Sequence, residues 1–259
     1  MGNFGAAPAR LARMSAGAWQ VAQAMAAATG HDDGADVGPS DADSAARQEL
    51  ADAGIASADG LTDTWKRALA VVSRPHIVLR LTATYNGVSG QSTLGIAGAR
   101  IVCVHRRRAF ELTPDGGIRI TGEEPAVEVS LFSTDTFWDG VRRILPPLPQ
   151  LRAGAADATS VLEAGRRVDE AEALDVARNH TSQVTAELVS TGGTTPAGWA
   201  GMWAVHEDQL YSIRTTYLDE RAASVVVPVQ AGHLARELGF ALVGALGATS
   251  ATATRGDAA

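Results

Sequence analysis

Apolar and polar residues alternate from Ile77 to Tyr85: Ile77, Leu79, Leu81, Ala83 and Tyr85 fall on one side, and Arg80, Thr82 and Thr84 on the other. A period of two is the mark of a half-buried strand. The stretch before it, "TDTWKRALAVVS", has a different period. Trp65, Leu69 and Val72 share one face of a helix that Thr62 or Asp63 can cap. Pro75 closes that helix, because proline disfavours helical dihedrals at the residue before it. A turn, "NGVSGQ", follows the strand, then strands over 92–97 and 100–105, a turn at 114–117 and a further strand, "AVEVSLF". Short strands joined by Gly- and Asn-containing turns predict an antiparallel meander.

The same scheme returns in the second half. Phe137, Trp138, Val141, Ile144, Leu145 and Leu148 form an apolar stripe ended by prolines, and "VDEAEALDVARNHTSQVTAELVS" reads as helical. Strands at "GMWAVHE", "QLYSIRTTYL" and "ASVVVPV" then lead into a helix with Leu234, Leu238 and Leu242 on its buried face. "VCVHRRRAFEL" and "MWAVHEDQLYSI" both read Val-His, a polar turn and an apolar strand, with His105 and His206 beside those turns. The pattern predicts a duplicated α+β structure, a pseudo-twofold with helices around an antiparallel sheet.

At the N-terminus, Leu11, Met14, Ala18, Val21 and Met25 recur at spacings of three and four and predict a helix within residues 1–29. Ser15, Gln20 and Gln23 interrupt its apolar run, which makes it a poor signal peptide. Residues 30–43 are rich in Gly and Asp and read as a solvated linker. Residues 44–246 are expected to form one domain of two related halves, 44–150 and 151–246. A low-complexity tail, 247–259, is expected to be disordered.

Composition narrows the function. The chain has 259 residues, 46% hydrophobic and 20% charged, with a formal charge of −7. An acidic balance argues against nucleic-acid binding. The single cysteine, Cys103, excludes an internal disulfide and a multi-thiolate metal site, which fits a reducing cytosol. No apolar run reaches the length of a membrane span.

Catalytic motifs are missing. His31, His76, His105, His180, His206 and His233 belong to no HExxH or Cys/His ligand set, and there is no GxGxxG, P-loop or GxSxG stretch. "HRRR" (105–108) sits where a hairpin is expected to turn and reads as an exposed basic turn or an anion contact. Cofactor and metal are therefore both expected to be none. Two readings of the apolar helix faces stay open: they dock a partner helix, or they are simply core.

The run from Glu49 to Thr121, with "AGIASADG", a helix ending "SRP", "HIVLRL" and "STLGIAGARIVCV" in that order, resembles the EspG family, cytosolic chaperones of actinobacterial type VII (ESX) secretion. That resemblance implies a central antiparallel sheet flanked by two helical bundles, no enzymatic activity, and a helical PE–PPE heterodimer as the partner. It also implies a binding surface made of the loop after the first long strand and the C-terminal bundle. Here these would be Asn86, Gly87, Val88, Ser89, Gly90 and Gln91, with Leu145, Leu148, Leu151 and Leu162. The family's N-terminal strand has no counterpart in the pattern, and the 86–91 loop is short. Two rival readings remain: a small-ligand site, for which Arg80, His76 and Glu111 are the residues to inspect, and a self-associating subunit that forms a homodimer through sheet edges or the "FWDGVRRIL" helix.

Overall fold

The computed structural model describes residues 10–28, 41–113, 118–157, 168–190, 197–218 and 221–256. Its elements in chain order are β1 (Arg10–Ser15), α1 (Ala16–Ala28), α2 (Asp41–Asp52), β2 (Ala56–Ser57), β3 (Gly60–Leu61), α3 (Asp63–Ser73), β4 (Ile77–Tyr85), β5 (Val88–Ala97), β6 (Arg100–Leu112), β7 (Ile118–Glu123), β8 (Ala126–Ser133), α4 (Phe137–Ile144), α5 (Pro149–Arg152), α6 (Glu170–Asn179), β9 (Ser182–Ser190), β10 (Ala197–His206), β11 (Gln209–Leu218), β12 (Arg221–Val229) and α7 (His233–Gly256).

Ten strands make one antiparallel sheet in the order β1-β8-β6-β5-β4-β9-β10-β11-β12, with β7 pairing β6. The expected α+β class holds, and so does the duplication. Helix, four strands and helix recur as α3-β4-β5-β6-β8-α4 and α6-β9-β10-β11-β12-α7, with β7 inserted in the first copy. The halves meet where β4 pairs β9, with Leu81 opposite Ala186. The alternation in β4 does what its period requires: Ile77, Leu79, Leu81 and Ala83 are buried, while Arg80 reaches solvent and pairs with Glu187.

Both sheet faces are covered. On one, α4, α5 and α7 bring Phe137, Val141, Leu151, Leu234, Leu238 and Leu242 onto Ile77, Leu79, Leu94, Leu188 and Trp203. On the other, α1, α2 and α3 pack Trp19, Leu50, Trp65 and Leu69 onto Val102, Val129 and Leu131. α6 covers Ala204, Tyr211 and Val226 of the second half on that same face. Three helix ends have a local cause. α3 ends at Arg74, held outside helical dihedrals by Pro75, and α6 begins where the Asp169 carboxylate accepts from the Glu172 N–H. α4 ends at Ile144 with Leu145 already extended, because Pro146 and Pro147 follow.

Several expectations from the pattern are corrected. Residues 10–15 are not helical: β1 pairs β8 along its length, so the missing N-terminal strand is present, and Met14 and Trp19 are core residues. The stripe at Leu11, Met14 and Ala18 imitates one helical face, but on β1 residues three apart lie on opposite sides, so Leu11 is exposed while Met14 is buried. "SQVTAELVS" is the central strand β9 rather than a helix extension, since Ser182, Val184, Ala186, Leu188 and Ser190 alternate inward. "HRRR" lies in the middle of the long strand β6, not at a turn. The Val-His likeness does not mark equivalent positions either, because His105 is within β6 and His206 ends β10. α2 starts at Asp41, inside the expected linker, and α7 continues to Gly256, well into the expected tail. Among the described residues, no helix is long and apolar enough to cross a membrane.

Candidate functional site

β4 and β5 are joined by Asn86 and Gly87, whose φ values of 49° and 72° are both left-handed. That is the two-residue turn an Asn-Gly pair selects, and its twist matches the strands it joins. β6 runs on past this turn, where the Phe110 N–H donates to the Gly87 carbonyl. Across this end of the sheet, Ala83 pairs Gly90 and Gly90 pairs Arg107, while Tyr85 pairs Val88 and Val88 pairs Ala109. Ala83, Gly90 and Ala109 leave a depression in this part of the sheet between larger neighbours. Facing it, Ile144, Leu145, Pro146 and Pro147 form a wall where α4 has stopped. The space between is a groove of about 750 Å³, with room for an apolar side-chain cluster.

His105 sits in the floor, 4% exposed. Gly90 makes room for it: a Cβ there would come within 2.9 Å of the His105 Cε1. The Arg107 Nε–H donates to His105 Nε2 at 3.3 Å, so Nδ1 carries the ring proton and donates to Ser92 Oγ at 2.8 Å. The orientation matters chemically. With Nδ1 protonated, His105 cannot take a proton from Ser92, so the pair is not an activated nucleophile. Burial, then the Arg107 charge, holds the His105 pKa below its ordinary 6.5 and keeps the ring neutral. Cys103, one pair further along β6, is pushed up to about 12 by burial and is an inert core thiol.

The rim is charged. Arg107 lies 3.8 Å from Glu128 and Arg108 lies 3.5 Å from Glu123, while Arg13 contacts Glu124. Arg152 donates from Nε and Nη2 to the Leu145 carbonyl at 3.2 and 2.6 Å, bracing the wall. Arg143 is exposed and lines the groove.

Of the residues singled out by resemblance, Asn86, Val88, Gly90 and Leu145 line this one groove. Gly87 forms the turn, and Ser89 and Gln91 point to the opposite sheet face by alternation. Leu148 packs half-buried against the core and Leu151 is inside it. Leu162 lies outside the described residues. The small-ligand trio does not converge: Arg80 pairs Glu187, Glu111 pairs Arg119, and His76 bonds at the opposite end of the sheet, its N–H donating to the Ile96 carbonyl. His206 is structural, tying β10 to α6 through Asp175 at 2.9 Å and the Asn179 carbonyl at 3.1 Å. Reasoning from the sequence missed His105, Arg107, Arg143 and Arg152 as one site. Reading "VCVHRRRAF" as one continuous alternating strand would have put His105 and Arg107 on the same face. Among the described residues, no group of three His, Cys, Asp or Glu side chains could hold a metal ion.

No family model matches the chain, and no curated protein matches it. Its fold is nevertheless shared. The type VII secretion chaperone EspG5 of Mycobacterium tuberculosis, solved in complex with the PE25–PPE41 dimer, superposes with a TM-score of 0.55 at 9% identity, covering 90% of this chain and 96% of that one. At that identity the likeness is one of fold.

Proposed function

We propose that this protein is a non-enzymatic cytosolic chaperone of type VII secretion that seats the tip of a helical client, a PE–PPE pair or a relative of one, in the groove between the Asn86–Gly87 hairpin and the α4–α5 wall. The observation that carries the reading is an open, apolar-walled groove on a fold whose solved neighbour holds a PE–PPE dimer. Val88, 41% exposed on the hairpin, is the natural apolar contact. The client gains by covering its own apolar tip, and the chaperone's acidic exterior keeps the complex dispersed.

The test is co-expression with PE–PPE pairs, followed by light scattering on the purified product. A soluble complex of one chaperone with one pair, and aggregation of the pair alone, is the expected result. A protein that never retains any pair contradicts it. Self-association is the competing outcome, and the observation favouring it is the pair Phe240 and Val243, each 69% exposed on α7. A concentration-independent dimer without client would support that reading instead.

A further inference from the structure

The protein is acidic overall, yet the groove is not. Among the described residues four arginines line it, Arg107, Arg108, Arg143 and Arg152, against two glutamates, Glu123 and Glu124. The pairings leave the imbalance in one place. Arg108 is matched by Glu123 and Arg107 by Glu128, while Glu124 is taken by Arg13. Arg152 satisfies a carbonyl, which leaves its charge without a carboxylate among the described residues. Arg143 makes no hydrogen bond or ion pair among them. The uncompensated charge is therefore on the α4–α5 side: Arg143 precedes the apolar wall Ile144, Leu145, Pro146 and Pro147, and Arg152 reaches that wall at the Leu145 carbonyl.

Two cations flanking an apolar wall in a chain of charge −7 set a specific demand on the occupant. A purely apolar tip would leave both guanidiniums partly desolvated and unanswered, which costs free energy. An acidic residue beside the apolar ones would answer them, and guanidinium is the cation best shaped to take a carboxylate. The net charge of −7 opposes acidic clients at long range, so a local positive patch is what lets an acidic tip dock at the groove.

Resting on the chaperone reading above, we infer that the groove selects clients whose docking tip carries a carboxylate side chain next to its apolar contacts, with Arg143 and Arg152 as the specificity-determining residues. Arg143 is the cleaner probe, since it supports nothing else in the fold, whereas Arg152 also braces Leu145.

The experiment uses the full chain and a defined probe: two short stapled helical peptides, alike in their leucines and differing only by Glu or Gln near one end. Binding is measured by fluorescence anisotropy at low and high salt. The Glu peptide should bind about fivefold more tightly at low salt, with the preference shrinking at high salt. Arg143→Gln should abolish most of the preference and Arg143→Glu should invert it, with unchanged urea midpoints showing that both variants fold. Equal binding of the two peptides, binding of neither, or a Glu preference that survives Arg143→Glu overturns the inference. Failures remain separable. A retained PE–PPE pair with no peptide preference removes the charge rule and leaves the chaperone reading, while a clear preference with no pair ever retained does the reverse.

Discussion

α4 and α7 follow the fourth main strand of their respective halves, yet one closes its sheet face and the other leaves it open. α7 spans 24 residues and lays Leu234, Leu238 and Leu242 over the second half. Its first turn also carries His233, whose Nδ1 accepts from the Trp203 Nε1–H at 3.1 Å. α4 has eight residues and stops at the Leu145-Pro146-Pro147 break, so the sheet beyond Cys103 has no helix over it. Each half also uses a glycine to admit a ring. Gly201 leaves space that Trp203 fills, where an added Cβ would come within 2.4 Å of the Trp203 ring, and Gly90 leaves space for His105. In the second half the ring completes a core; in the first it floors a groove. The candidate groove lies where the duplication departs from itself, at the point where α4 ends before two consecutive prolines.

The contrast can be broken from the closed side first. Trp203→Ala empties a fully buried site and orphans the His233 nitrogen, so urea unfolding should show a loss of about 3–5 kcal/mol. A loss under 1 kcal/mol would mean that Trp203 does not hold the closed core of the second half together. Gly140→Ala comes next. A Cβ there would come within 2.4 Å of the Phe132 ring beneath α4, and overpacking of this kind costs about 1–3 kcal/mol, read from the same urea midpoints. On the open side, Val88→Asp should leave the midpoint nearly unchanged and weaken client binding about tenfold or more by calorimetry, because it removes the hairpin's exposed apolar contact and puts there a carboxylate that competes with the client's own for the groove arginines. An equal loss of stability would place Val88 in the core account instead.

Gly90→Ala should have a smaller effect, about 1 kcal/mol of stability, since the His105 ring must shift by a few tenths of an ångström. His105 and His233 provide the smallest effect and its sign. Both have folded-state pKa values lowered from 6.5, chiefly by burial. The unfolded chain therefore binds protons first on acidification, so their contribution is complete above pH 6.5 and is lost between 6.5 and the lower folded values. Asp175 acts lower down: its carboxyl is depressed below 3.8 by its hydrogen bond from Asn179, so its share is lost only below that value. Urea midpoints should fall through the histidine window, less steeply in His105→Gln; an identical slope would remove His105 from the explanation.

The parts legible in the sequence were those in which one local period decides. β4 has a clean alternation that packing leaves unopposed, and α3 has a proline stop, so both emerge from the pattern alone. The boundary between β1 and α1 is hidden because Leu11, Met14 and Ala18 imitate one helical face, although Leu11 is exposed and Met14 buried, and only pairing with β8 sets the strand apart. β9 was hidden because it follows α6 after only a short break at His180 and Thr181, and its strand character comes from β4 and β10 on either side. The groove was half legible. Asn86 and Gly87 announce their turn, but Arg143 and Arg152 reach the hairpin only through the tertiary path of the chain, which no local period encodes.

In the proposed complex the client sits against the hairpin and not against the exposed face of α7. Site-specific photocrosslinking tests it most directly, with a photoreactive residue placed at Val88 in one variant and at Phe240 in another, each co-expressed with a PE–PPE pair. A crosslink to the client from position 88 and none from position 240 is the result this account requires. A client crosslink from 240 with none from 88, or crosslinks from either position only to a second copy of this chain, would contradict it.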